Sequence, residues 1–460
     1  MTFIVRGSSI KIIHNNHREE NELKNMNFLK KSLSLILSAS MLAVMLAGCG
    51  SSAPAEQQTS QAAETEAPAE TPAETEAATE AAAPTEAEAQ ESAASESTSA
   101  AESAADTAAE NAAIPEYVTI TDHADREVTV KTDPQRVVIL SILPLPSVLT
   151  VFLNSPETIV AMQPASMAAA KEGILSELYP DIVNINTDIM NGESINIEAL
   201  LEIDPDVVFV NNLAPETLAQ LENAGLTTVV VSPTKWDYNC IVTYDHWIEL
   251  LSQIYPSNHF DSQRIHDFST EKYDLIQERT KDIPDEEREK VLFLFQYNEN
   301  TMVTSGKSFF GQWWCDATGT KNAAESVAAD NSNAVITMEQ VYEWDPDMII
   351  ITNFTPVQPE DLYNNAIADH DWSTVSAVKN KRVYKMPLAS YRTYTPGVDT
   401  PMTLEWMAQL AYPELFTDFD VAKDVKDYYQ ELYHVELTDD QIERMYHPNR
   451  EAGDITVSRK

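Results

Sequence analysis

The sequence predicts an α/β protein of two lobes joined by a long helix, and three observations carry that expectation. One stretch occurs twice: residues 195–210 read I-N-I-E-A-L-L-E-I-D-P-D-V-V-F-V and residues 336–351 read I-T-M-E-Q-V-Y-E-W-D-P-D-M-I-I-I. Apolar strand-like runs alternate with helix-like segments on either side of each copy. A helix-like stretch, residues 243–281, separates the copies.

Each copy has a physical reading. Asn196 or Thr337 can accept from the free amides of a helix start. The Asp-Pro pair, Asp204-Pro205 or Asp345-Pro346, ends the helix, because proline disfavours helix in the residue before it. Four aliphatic or aromatic residues then read as a strand covered on both faces, as in a parallel sheet. Glu198 and Glu339 fall at matching places in the first helical turn, where the helix dipole favours a carboxylate; on position alone each is a capping acid. Glu202 and Glu343 also match, a turn further in, and read as solvated acids.

In chain order, residues 1–48 read as a secretion signal, with translation expected to start at Met26: Lys30-Lys31, an apolar run over 33–45, then Leu46-Ala47-Gly48-Cys49. Residues 49–113 are almost wholly Ala, Glu, Thr, Ser, Gln and Pro, a composition that cannot bury a core and reads as an acidic tether of about 45 Å reach. The remaining boundaries are an N-terminal lobe over 114–242, connecting helices over 243–286, a C-terminal lobe over 287–416 and a helical extension over 417–460.

In the N-terminal lobe, residues 117–120 and 127–130 alternate and read as a hairpin. Strands follow at 136–140, 159–162, 207–210 and 227–231, with helices at 165–178 and 215–224 between them. The connecting helices break at Pro256, and the second, about 260–281, would span roughly 30 Å. The second lobe starts with a strand at 291–295 and a helix at 309–318, and carries a late strand at 382–386.

The formal net charge of -43 excludes nucleic acid as a partner, since phosphate binding needs a basic surface. Gly306-Lys307-Ser308 imitates the end of a phosphate loop, but Thr301 stands where that loop needs glycine. The sequence contains neither G-x-S-x-G nor H-E-x-x-H, so no enzyme is expected. Beyond Cys49, only Cys240 and Cys315 remain, and whether they pair is open.

Residues 118–130, Pro134-Gln135-Arg136-Val137-Val138, both repeat copies, residues 378–384 and Leu410-Ala411-Tyr412-Pro413-Glu414 together resemble a known family. These are the substrate-binding proteins of bacterial ABC importers with a helical backbone, which bind ferric siderophores, haem, vitamin B12 or, in a separate branch, metal ions. The resemblance implies two Rossmann-like lobes with a ligand cleft between them and a monomer serving a permease dimer with a cytoplasmic ATPase. It also implies that Glu198 and Glu339 dock against permease arginines. The tetrapeptide ending at Cys49 is similar to a lipobox, which implies a lipid anchor at Cys49 on the outer face of the cell membrane. A surface-tethered sensor or adhesin of the same fold is the alternative.

Ligands of open α/β lobes lie beyond the carboxyl ends of the strands. Those places hold Met162, Trp236, Tyr238, Gln296, Tyr297, Lys307, Phe309, Phe310, Trp313, Trp314, Asn353, Tyr391, Arg392 and Tyr394. The set is aromatic with few cations, and the loops after Leu140, Val231, Phe295 and Ile351 hold no histidine, which argues against a bare transition metal. The expected ligand is a ferric siderophore or a tetrapyrrole, with Lys307 or Arg392 pairing an anion; no resident cofactor or metal is expected.

Overall fold

The computed structural model describes residues 114–453 apart from residues 192, 193, 214 and 368. The expected signal, Cys49 and the tether lie outside the described residues. Strands β1 (Tyr117–Thr121) and β2 (Glu127–Lys131) form an antiparallel hairpin. Its turn is tied by Asp122, which accepts from the amides of Ala124 and Arg126 and pairs with the Arg126 guanidinium at 2.6 Å.

The N lobe then runs β3 (Val137–Ile139), α1 (Leu145–Leu153), β4 (Ile159–Met162), α2 (Pro164–Glu172), α3 (Leu175–Leu178), a small β5 (Met190–Asn191) and β6 (Ser194–Ile195) hairpin, α4 (Ile197–Ile203), β7 (Val207–Asn211), α5 (Pro215–Asn223) and β8 (Thr228–Val231). The order β4-β3-β7-β8 is parallel throughout, as continuous apolar strands require. Val207, Val208, Phe209 and Val210 are fully buried, each contributing about 1.5–3 kcal/mol over exposure.

Helix α6 (Cys240–Ile254) and α7 (Gln263–Thr280) follow. Ile265, near the start of α7, joins the N-lobe core, whereas Ile276, near its end, joins the core of the second lobe. That lobe comprises β9 (Lys290–Tyr297), β10 (Met302–Thr304), α8 (Phe310–Thr318), β11 (Lys321–Asn322), α9 (Met338–Trp344), β12 (Met348–Ile351), α10 (Pro359–Tyr363), α11 (Ser376–Lys379), β13 (Val383–Lys385) and α12 (Thr400–Ala411). Its sheet order is β10-β9-β12-β13. The C-terminal extension adds α13 (Val421–Tyr433) and α14 (Asp439–Tyr446).

The repeat is α4-β7 and α9-β12, and the reason for its second aspartate is visible. Asp206 accepts from the amides of Gln135 and Arg136 at 2.8 and 3.0 Å, and Asp347 accepts from the Lys290 amide at 3.0 Å, so each pins the neighbouring strand at its entry. The cation at that entry turns back to cap the preceding helix: Arg136 donates to the Asp204 carbonyl, and Lys290 to the Trp344 and Asp345 carbonyls. Asp204 and Asp345 both end their helices in the left-handed region, at φ 53° and 40°.

Three expectations of regular structure are corrected. The helix expected over 165–178 is broken at Gly173, where a β-carbon would stand 2.5 Å from the Ala389 carbonyl oxygen of the other lobe. The second sheet is not wholly parallel: Asn298 accepts from the amides of Asn300 and Thr301, making the turn that returns β10 antiparallel to β9. The strand expected to end at Phe295 continues to Tyr297, past a bulge where the register shifts between Val303 and Thr304.

Candidate ligand cleft between the lobes

The N lobe meets the second lobe with small groups. Ser147 Oγ donates to Ser390 Oγ at 3.3 Å, the Ile174 amide donates to the Ala389 carbonyl at 3.1 Å, and Arg392 reaches the Ala165 carbonyl at 2.9 Å. The second lobe presents rings. Phe295 lies 4.9 Å from both Phe309 and Phe354, and Tyr394 lies 5.4 Å from Phe309 and 5.7 Å from Phe293, ring centre to ring centre. Gly311 is what lets α8 lie close enough, since a β-carbon there would stand 2.4 Å from Ser305. The Gly311 amide donates to Ser305 Oγ and to the Tyr394 hydroxyl, at 2.8 and 3.1 Å.

Tyr238 of the N lobe enters this nest. Tyr238 lies edge-on to Phe310 at 5.3 Å and to Phe309 at 5.9 Å, and its hydroxyl donates to Asn331 Oδ1 at 2.5 Å. Tyr238 and its neighbour Asp237 both have left-handed backbones, φ 60° and 50°. For a bulky side chain such a conformation costs on the order of 1–3 kcal/mol and persists only where surrounding contacts hold it. Burial, and then the charge of Asp330, push the Tyr238 phenol up to about 12, so it acts as a neutral donor.

Of the residues chosen from sequence, Tyr238, Phe309, Phe310 and Tyr394 form the nest itself. Trp314 supports it from beneath: it is fully buried, donates to the Tyr394 carbonyl at 3.0 Å and packs against Trp313 at 4.8 Å. Asn353 is buried, donates to the Met386 and Pro387 carbonyls, and has an Oδ1 without a partner among the described residues. Tyr391 is buried, and its hydroxyl accepts from Arg392 at 3.1 Å.

Arg392 is not the free cation that anion pairing needs. Its nitrogens donate to the carbonyls of Asn353, Ala165 and Ala452 and to Tyr391, tying both lobes to the C-terminal segment. Lys307 is exposed. Four residues lie apart from the nest. Met162 is in the N-lobe core. Trp236 stacks on His246 at 4.1 Å and meets His123 edge-on. Tyr297 joins a different core cluster, bonded to His370 and Trp372, and Gln296 is half-buried opposite Val303 of β10. The bulge explains the last two, because one extra residue reverses which side chains face each side of the sheet. The sequence reading missed Phe293, Phe295 and Phe354; the alternation of Val291, Phe293 and Phe295 within β9 was the available signal, as all three join the core cluster that holds the nest.

Glu198 and Glu339 are exposed in the first turns of α4 and α9. Asn196 caps α4 by accepting from the Ala199 amide, and Gln340 reaches back to accept from the Thr337 amide of α9. The Thr337 hydroxyl beside Glu339 holds its carboxyl below the usual range. Cys240 and Cys315 are buried and free, and burial pushes both thiols up. Among the described residues no cluster of three or more His, Cys, Asp or Glu side chains could hold a metal, and no helix is long and apolar enough to cross a membrane.

Comparison with known proteins agrees with this architecture. Residues 177–389 match the family model described as periplasmic binding protein. The chain is 27% identical over 345 residues to the molybdate-binding protein MolA of Haemophilus influenzae, covering 71% of this chain and 93% of that one. It is 25% identical over 313 residues to YvrC of Bacillus subtilis, an uncharacterized ABC transporter substrate-binding lipoprotein, covering 65% and 87%. A crystal structure of a periplasmic solute binding protein from Veillonella parvula superposes with a TM-score of 0.61 at 29% identity, over 72% of this chain and 97% of that one. Within the chain, residues 177–389 carry the periplasmic binding protein match, and over most of its length the chain is similar to substrate-binding proteins of this kind.

Proposed function

We propose that the chain captures an iron chelate or tetrapyrrole, a ferric siderophore before haem or a corrinoid, between its lobes and delivers it to a permease dimer driven by a cytoplasmic ATPase. The observation that carries this reading is the aromatic nest at the lobe junction, closed by a strained Tyr238 from the opposite lobe. Rings of this kind stack on planar or aryl ligands and exclude water around them. Asn353 Oδ1, buried and without a partner among the described residues, offers an acceptor, and Lys307 an exposed cation for a peripheral acid. Glu198 and Glu339 serve as the two permease contacts. Cys49 carries the lipid, and residues 49–113 hold the binding domain off the membrane.

A second reading is molybdate, favoured by the relative of that name. A small oxyanion needs converging donors, and with every Arg392 nitrogen spent on carbonyl and hydroxyl oxygens the chelate is the better fit. Titrating the full chain with ferric siderophores, haem, cobalamin and molybdate, followed by tryptophan fluorescence, separates the two. Saturable quenching by a chelate or tetrapyrrole is expected, and saturable binding of molybdate alone would overturn the ligand assignment.

A further inference from the structure

Away from the lobe junction, the C lobe holds a cavity of about 720 Å³ between its edge strand β13, helices α10 and α12, and the segment that follows α14. Its walls are Tyr363, Tyr384, Trp406 and Tyr446, with Glu360 and Glu451 at its rim. Trp406 and Tyr446 stand 6.4 Å apart at 53°, an angled pair of faces rather than a packed stack. The volume lies within the range of sites that enclose a small organic molecule.

The charges around the cavity decide what it would hold. Its cations are already engaged: Arg450 forms a two-pronged pair with Asp361 at 2.6 and 2.7 Å, and Lys385 Nζ donates to the carbonyls of Thr352, Thr355 and Val357 at 2.6–2.9 Å. His447 Nδ1 lies 3.2 Å from Glu443. Glu360 and Glu451 have no cation within ion-pair distance among the described residues, and both are exposed. Lys381 Nζ sits 4.0 Å from the centre of Tyr363 and already occupies a face of that ring, which leaves Tyr384, Trp406 and Tyr446 as the rings for a ligand. Aromatic rings and carboxylates that line one cavity attract a positive charge carried on an apolar body.

We propose that this cavity is a second binding site, separate from the lobe junction, for an organic cation that carries a ring. The full chain is titrated with phenyltrimethylammonium and with tert-butylbenzene, its neutral counterpart of the same shape, and binding is followed by saturation-transfer NMR. The cation is expected to bind saturably and at least tenfold more tightly than the neutral compound. Glu360→Gln with Glu451→Gln is expected to weaken the cation at least fivefold and to leave the neutral compound unchanged; both positions are exposed, and circular dichroism checks that the variant is folded. Trp406→Leu is expected to weaken both compounds. Equal affinity for the two compounds, absence of saturable binding, or cation affinity unchanged in the double glutamine variant would each overturn the proposal.

Discussion

The two lobes share a scaffold and differ at the surface they turn to each other. In both, a short helix ends on a left-handed aspartate, the second aspartate pins the adjacent strand, and a cation from that strand caps the helix. At the junction the likeness stops: the N lobe offers Ser147, Ala165 and Ile174 with the ring of Tyr238, while the C lobe offers Phe293, Phe295, Phe309, Phe310, Phe354 and Tyr394. The difference teaches that backbone geometry is duplicated because both sheets need the same helix-to-strand turn, whereas the aromatic chemistry is concentrated on one lobe and the other closes over it.

The largest effect should come from the ring-bearing lobe. Trp314→Ala removes a fully buried indole and its bond to the Tyr394 carbonyl, and should cost about 3–5 kcal/mol in urea unfolding. A loss below about 1 kcal/mol would mean that the nest does not rest on this side chain.

The shared turn can be broken unequally. Asp206 accepts from two amides and from Lys131 Nζ at 2.9 Å, whereas Asp347 accepts from one amide. Asp206→Ala should therefore cost about 2–3 kcal/mol and Asp347→Ala about 1 kcal/mol. Equal losses would show that the strand pin, rather than the added cation, sets the energy.

The C lobe also carries a titration with no counterpart in the N-lobe turn. Glu405 of α12 is buried against Asp424 of α13, with Lys272 Nζ of α7 at 2.5 Å, and burial raises its carboxyl to about 7. A carboxyl raised in the folded state contributes stability that is complete below its unfolded value and lost as pH rises through the folded value. Stability should fall by on the order of 2 kcal/mol between about pH 4.5 and 7, and Glu405→Gln should flatten that slope. A slope unchanged in the variant would place the titration elsewhere.

The scaffold was legible in the sequence because its signals are local: an N-cap residue, an Asp-Pro stop and an unbroken apolar strand, written twice. The site was legible only in part. Phe309, Phe310 and Tyr394 could be placed from strand order, but Tyr297 and Gln296 were placed wrongly with respect to the nest, since a bulge in β9 depends on where β10 pairs. Arg392 was recognisable as a cation near the junction, but the carbonyls it ties come from residues 165, 353 and 452, which no spacing rule connects. The helix break at Gly173 has the same origin, a contact with Ala389 across the junction.

The equivalence of the two halves is tested most directly at Glu198 and Glu339, in a reconstituted importer supplied with the wild-type chain, each single alanine variant and the double variant. If each half supplies one foot, either single variant lowers uptake, the double variant abolishes it, and ligand affinity in all three stays within a few-fold of wild type. Uptake by the double variant at the wild-type rate, or affinity lost together with uptake, would contradict the account.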